Sequence, residues 1–460
     1  MSESRSVDIA IVGAGASGVM VAVQIVRQSR AAGVAMPSVL LIDGDRQPGR
    51  GVAYGTAREE HVLNVPASGM SAFPDQLNHF VDWLVEHGEK EAGLGLRFLP
   101  RRVYGQYLEA QLAQATQCGV EMLRDRVVDI ADVAPYRIGL ASGRNVAAKS
   151  VILAIGNSPH ALPVRHEGVR VVEGWDDEAL GLIPIDDDIA IVGAGLSMVD
   201  AALTLSANGH RGRIEVFSRH GLAPLGHDDA HDIADIDVDA LVALPLRQRL
   251  HQLRQVIAAN PHWHWQAVMR SLRAPGQRLW QSLSASDQQR FLRHVVRYWD
   301  IHRHRIAPHV AATLDAMRQS GQLILHAGRP LTLRQIDGRI EVDFVTRHET
   351  RVMRVRVDCV INATGLETHL EKSNDPLIRA LLASGFAKPG PHGRGLDTDA
   401  DGRLLDRSGT AQANIYTLGS TRIGSLWESI AIPDLRVQAA NLATHLVHAA
   451  SLLAREGDRD

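Results

Sequence analysis

Four segments of the chain share one hydropathy pattern, a short apolar run that ends in glycine or its neighbour. They are residues 7–18 (VDIAIVGAGASG), 188–200 (DIAIVGAGLSMVD), 358–365 (DCVINATG) and, more weakly, 150–157 (SVILAIGN). Apolar runs of roughly four to six residues bounded by turn signals predict strands of a parallel sheet, buried on both faces. After the first two runs the apolar spacing becomes helical, through Val19, Ala22, Ile25 and Val26, then through Val199, Ala202, Leu203 and Leu205. Strand, glycine turn and helix occurring twice predict an α/β chain with two Rossmann-like domains of the dinucleotide-binding type.

Between about residues 235 and 320 the pattern is helical and rich in Leu, Arg, Gln and His, which reads as a helical insertion in the second domain. Trp263, Trp265, Trp280 and Trp299 fall there and read as its core. Asp337-Gly338 and Asp401-Gly402 predict hairpin turns, and residues 431–453 a helix with Pro433 in its first turn. The expected division is 1–180 for the first part of one domain, 181–355 for an inserted second domain, and 356–460 for the remainder of the first.

The first turn reads Gly13-x-Gly15-x-x-Gly18, with Ser17 inside it. Such glycines allow a tight turn, close approach of backbone to a pyrophosphate, and a helix N-terminus facing the anion. The next strand ends at Asp43, a carboxylate placed to accept from ribose hydroxyls. It follows Gly18 at a distance that a loop insertion over residues 30–37 would explain. The second turn carries Gly193, Gly195 and Ser197, with Met198 in place of the third glycine. Its following strand ends in Ser218-Arg219-His220 rather than in an acid. An arginine without a carboxylate suits a 2′-phosphate, which favours NADPH over NADH, although Arg219 also fits a solvated surface position. Two such folds in one chain imply FAD in the first and NADPH in the second.

Composition narrows the classes. With 49 basic and 52 acidic residues among 460, the formal charge of -3 leaves no footprint for nucleic acid. Nearly all the positive charge is arginine, since Lys90, Lys149, Lys372 and Lys388 are the only lysines; this reads as a compositional habit. The two cysteines, Cys118 and Cys359, form no CxxC pair, which excludes a dithiol reductase mechanism. No signal-peptide pattern and no long apolar span is seen, so the expectation is a cytoplasmic protein without a membrane segment.

Residues 49–84 (GRGVAYGTAREEHVLNVPASGMSAFPDQLNHFVDWL) resemble flavin-containing monooxygenases, with Asn64, Pro66, Met70, Phe73 and Asp75 at similar spacing. The chain is similar over nearly its whole length to two-dinucleotide flavoproteins. Within them it most resembles the bacterial FAD/NAD(P)-binding family that includes N-hydroxylases and aspartate N-monooxygenases (nitrosuccinate synthases). The resemblance implies that Asn64 lies beside the flavin near C4a and is both a catalytic and a cofactor residue; the sequence by itself equally allows a turn residue before Pro66. It further implies that Met70 and Arg101 are cofactor residues, with Arg101 and Tyr104 opening a helix, and that Val127 meets the adenine. Residues 419–436 would close over the flavin with Gly419, Ser420, Gly424 and Trp427, while Gly156, Thr364 and Gly365 lie at strand ends near the joints. One departure from class-B monooxygenases is Val172 in the position of a signature histidine, together with the loss of its phenylalanine.

Other clusters allow two readings. His227 and His231 stand four apart among acids, as metal ligands can, but no third ligand is identifiable and a polar loop ahead of a helix is the simpler reading. The run Asp397-x-Asp399-x-Asp401-Gly402 lacks the closing Glu of a calcium loop and reads as a hairpin. Arg303 and Arg305 form either an anion pocket for a substrate carboxylate or a structural ion-pair network. The expected function is an NADPH-dependent FAD monooxygenase. It would use O₂ to hydroxylate a small polar amine- or carboxylate-bearing molecule, at nitrogen, through a C4a-(hydro)peroxyflavin. The rivals are a flavin oxidoreductase passing hydride to an organic or quinone acceptor, and a non-catalytic FAD-binding redox sensor.

Overall fold

The computed structural model describes residues 5–44, 47–131, 134–156, 158–228, 233–347 and 349–457. The chain divides into two compact units. One comprises Met1–Thr56, Pro66–Ser158 and Leu366–Asp460, and the other Ala57–Val65 and Pro159–Gly365.

The first unit is built on a sheet whose central strand is Arg5–Val12. It pairs in parallel with Val39–Asp43 on one side and Asn145–Leu153 on the other, and the sheet continues in parallel to Val120–Arg124 and Ala411–Thr417. Ala10, Ile11, Leu40, Leu41, Val151 and Ile152 are fully buried, as two covered faces demand. The helix Ala16–Ala32 follows the first strand and is capped by Gly33 at φ 62°. Residues 30–32 are therefore helical, and the expected loop insertion over 30–37 contributes an extra helical turn before it becomes loop. The long C-terminal helix Ile432–Gly457 packs along Ala16–Ala32.

In the second unit Ile189–Val192 pairs in parallel with Ile214–Ser218 and with Cys359–Asn362. The sheet extends through Leu323–Ile336 to an antiparallel pair, Arg339–Thr346 and Val352–Val357. Asp337 and Gly338 form the expected hairpin turn, with φ of 50° and 79°. Helices from Val238–Val242 to Pro308–Gln319 make the helical insertion. There Trp263 and Trp299 pack on Ala267, Val268 and Leu272, as expected of a core.

The limits of the units differ from those expected at 180/181 and 355/356. Arg165–Glu167 and Val171–Glu173 hydrogen-bond to Leu323–Ile336 and Cys359–Asn362, so the main stretch of the second unit begins at Pro159. Cys359–Asn362, expected in the returning part of the first domain, is instead an inner strand of the second sheet.

Candidate active site

The first glycine turn separates glycines that the protein needs for its own packing from one that it does not. Gly13 has φ +103°, and a Cβ there would lie 2.3 Å from the Ala154 carbonyl oxygen; a Cβ on Gly18 would lie 1.9 Å from that of Gly13. Gly15 is extended, at φ -73° and ψ -172°, and its Cβ would meet only Gly51 Cα, at an ordinary 3.6 Å. Backbone geometry thus leaves Gly15 free to carry a side chain, whereas a ligand against the N-terminus of the following helix would forbid one. Asp43 accepts a hydrogen bond from the Ala14 amide within the turn, and Gly49 donates to the Ala14 carbonyl at 2.7 Å.

The C-terminal segment reaches the same turn. A Cβ on Gly419 would stand 3.2 Å from Ser17 Oγ, and Ser420 Oγ donates to the Gly156 carbonyl at 2.7 Å. Gly156 and Ser420 also line a cavity with Ile155, Thr368, Asp375 and Thr421. Gly13, Gly15, Ser17, Gly18, Asp43, Gly156, Gly419 and Ser420 are thereby brought together. Arg101 begins the helix Arg101–Gln117, Val127 begins the strand Val127–Ile130, and Met70 is buried after the turn Ala67–Gly69. Trp427 is half-buried. Gly424 is accounted for by packing, because its Cβ would fall 2.1 Å from the Arg394 carbonyl oxygen.

The second turn repeats the distinction. A Cβ on Gly193, at φ +109°, would lie 2.1 Å from the Ala363 oxygen, while one on Gly195 would meet nothing within 4 Å. Ser197 lies in the first turn of Leu196–Ala207, and Ser218 ends the next strand. Thr364 and Gly365 belong to this turn rather than to the first: Thr364 N would be 2.9 Å from the Gly193 Cβ. Thr364 Oγ1 donates to Asn362 Oδ1 at 2.6 Å, and Asn362 Nδ2 donates to Glu173 at 2.9 Å.

Within the second unit the segment Ala57–Val65 lies on the helix that follows this turn. Buried His61 holds Thr204 Oγ1 at 2.9 Å and the Asp200 carbonyl at 3.2 Å through Nε2, and Arg58 donates to Asn208 Oδ1 at 3.0 Å. This fixes Asn64, whose backbone carbonyl accepts from His227 Nε2 at 3.0 Å. His227 N donates to the Ile306 carbonyl at 2.8 Å and Ile306 N to that of Leu225 at 3.0 Å, which sets His227 beside Arg305. The Arg305 guanidinium donates to Gln266 Oε1, and Gln266 Nε2 donates to the Gly226 carbonyl at 3.1 Å.

Electrostatics mark the same place. Burial pushes the His227 imidazole down to about 4, and the Arg305, Arg303 and Arg270 charges add to that, so the ring is neutral at pH 7. Burial and the neighbouring Arg303 and Arg270 push Arg305 down to about 10. Its Nε is buried and, among the described residues, has no hydrogen-bond partner. Asp228 is the acid acting on Arg305, and it is paired with His264 at 3.0 Å. The candidates Asn64, Arg303 and Arg305 therefore converge on His227. The sequence alone offers His227 as half of a metal pair or, more simply, as part of a polar loop ahead of a helix; its partner in the first reading, His231, lies outside the described residues with Asp229 and Asp232. Among the described residues no group of His, Cys, Asp and Glu could hold a metal. Gln266 and Arg270 carried no sequence signal, because their role depends on how the helices of the insertion fold back.

Two sheets with parallel cores, each opened by a glycine turn in which one glycine is not required by the chain's own packing, define a two-dinucleotide-binding fold. Residues 10–158 match the family model described as FAD-NAD(P)-binding. No curated protein matches the sequence. Among solved structures the chain is similar to the L-lysine 6-monooxygenase of Pseudomonas syringae, at TM-score 0.70 and 16% identity over 96% of this chain and 99% of that one. The reduced ornithine hydroxylase of Pseudomonas aeruginosa gives TM-score 0.63 and 17% identity over 96% and 99%. The thioredoxin reductase of Lactococcus lactis gives TM-score 0.52 and 15% identity over 96% and 99%. These likenesses establish the fold, which is shared by unlike chemistries. No helix among the described residues is long and apolar enough to cross a membrane.

Proposed function

We infer that the protein is an FAD-containing, NADPH-dependent monooxygenase that hydroxylates the nitrogen of a small, carboxylate-bearing amine. The observation that carries this reading is the convergence of Asn64, Arg303 and Arg305 on a neutral, half-buried His227. The fold is one shared with ornithine and lysine N-hydroxylating enzymes, and a dithiol route is closed because Cys118 and Cys359 are both free and lie in different units.

The fit of the two cofactors rests on Gly15 and Gly195, the positions where a Cβ would enter open space. Gly13–Gly18, Asp43, Gly156, Gly419 and Ser420 would hold FAD; Gly193–Ser197, Ser218 and Arg219 would hold NADPH. Bound FAD supplies the chemistry that activates O₂, with NADPH as the source of hydride. The chain's own contribution is binding and protonation control. The arginines attract a carboxylate, and Arg305 Nε is a buried donor in need of an acceptor. The same positive field disfavours an ammonium, so a bound amine is held in its neutral, nucleophilic form. The His227 proton sits on Nε2, because the Asn64 carbonyl only accepts, and this hydrogen bond orients the Asn64 backbone.

The test is anaerobic stopped-flow reduction of the FAD-loaded protein by NADPH, followed by oxygenated turnover with carboxylate-bearing amines. Hydroxylamine formed in proportion to NADPH consumed supports the reading. Electrons recovered wholly as hydrogen peroxide with every amine overturn it, and rapid anaerobic turnover with a quinone selects a simple oxidoreductase. Failure of NADPH to bleach the flavin leaves only a binding role.

A further inference from the structure

The two units treat the end of their second strand differently. Val39–Asp43 ends in a carboxylate, whereas Ile214–Ser218 runs into a tight turn made by Ser218, Arg219, His220 and Gly221. Gly221 N donates to Ser218 Oγ at 3.0 Å, and at φ +61° the Gly221 Cβ position lies 3.0 Å from Ala327 N and Cβ. The turn is therefore pressed onto the neighbouring strand at Ala327. The carbonyl of Ala327 accepts the backbone amide of Arg347 at 2.7 Å, just beyond the strand Arg339–Thr346. A third arginine comes from the helical insertion: Arg297 donates to the Ala194 carbonyl inside the glycine turn at 2.7 Å, and also to the Leu222 carbonyl.

Three arginines from three different elements thus gather about His220, whose Nδ1 is buried without a hydrogen-bond partner among the described residues. Burial, then Arg347, Arg219 and Arg297, holds the His220 imidazole below its ordinary range. Arg219 and Arg347 are exposed, and neither makes an ion pair among the described residues. Asp300 acts on Arg297, whereas Arg219 and Arg347 stand as like charges at the end of a strand, an arrangement that suits a compact dianion.

We propose that Arg219 and Arg347 form a two-armed clamp for the 2′-phosphate of NADPH, with Arg297 tying the clamp turn to the glycine turn. Arg347 is then a specificity-determining residue contributed by the antiparallel extension of the sheet, and Arg297 is a positioning residue. The inference rests on the reading that the second unit holds the hydride donor. It adds that a second arginine, remote in sequence from the motif, decides between phosphorylated and unphosphorylated donors.

Calorimetric titration of the FAD-loaded protein with adenosine 2′,5′-bisphosphate and with 5′-AMP tests it without turnover. In the unaltered protein the bisphosphate should bind the tighter. Arg347→Ala should weaken it about 10- to 100-fold, the loss expected for a charge-assisted pair, while 5′-AMP is unchanged. Arg347→Lys should recover only part of the loss, because a point charge lacks the planar fork. Arg347→Glu, with an unchanged melting temperature, should abolish the preference. An Arg347→Ala that binds the bisphosphate normally, or weakens both ligands equally, overturns the clamp but leaves NADPH as donor. If the unaltered protein binds neither nucleotide and NADPH does not reduce the flavin, the functional reading falls with it.

Discussion

His227 donates from Nε2 to the backbone carbonyl of Asn64 at 3.0 Å, across 163 positions of sequence. That bond gives two residues with unrelated sequence contexts one environment, and most of the expected behaviour follows from it.

Acid should weaken the protein through His227. Its folded pKa, about 4, lies below the ordinary 6.5, so between these values the unfolded chain binds the proton and the folded chain does not. Stability is complete above pH 6.5 and is lost as pH falls toward 4. Discounting for partial exposure, the loss is roughly 2 kcal/mol. Urea unfolding of the unaltered protein and His227→Gln at several pH values should show a difference that narrows across this window.

The glycine turns offer a paired test. Gly13→Ala should destabilise the protein by about 3 kcal/mol or more, because its Cβ meets the Ala154 carbonyl at a positive φ. Gly15→Ala and Gly195→Ala should fold within about 1 kcal/mol of the unaltered chain. The first should lose FAD and the second NADP⁺ affinity, measured by cofactor content and by titration.

Arg305→Met should separate binding from folding. It removes one of several mutually repelling, half-buried charges, so the melting temperature should hold or rise. KM for a carboxylate-bearing amine should rise about 10- to 100-fold with a much smaller change in kcat.

His61→Leu removes the partner of a buried Thr204 hydroxyl. A cost of about 1–3 kcal/mol is expected. Hydrogen exchange should quicken over residues 57–65 before the rest of the second unit.

Both glycine turns, their strands and the helical insertion were legible because hydrophobic period and glycine spacing are local properties. The placement of Cys359–Asn362 was not: DCVINATG reads as a buried strand in either sheet, and only its pairing with Ile189–Val192 decides. The substrate-binding candidates were half legible. Arg303 and Arg305 stood out as an arginine cluster, but Gln266 and Arg270 enter through the way one helix folds over another, and Arg347 through a single backbone hydrogen bond to Ala327.

The segment Ala57–Val65 has one further consequence. The chain leaves the first unit at Thr56, re-enters it at Pro66, and passes between units again at Ser158 and Gly365. Neither unit is a contiguous stretch of gene. A fragment cut to the matched residues 10–158 would carry His61, 3% exposed in the whole chain, with its partners Thr204 and Asp200 deleted. Separating the units for study calls for replacing residues 57–65 by a short polar linker, and the second unit would have to be supplied with that same segment on a tether.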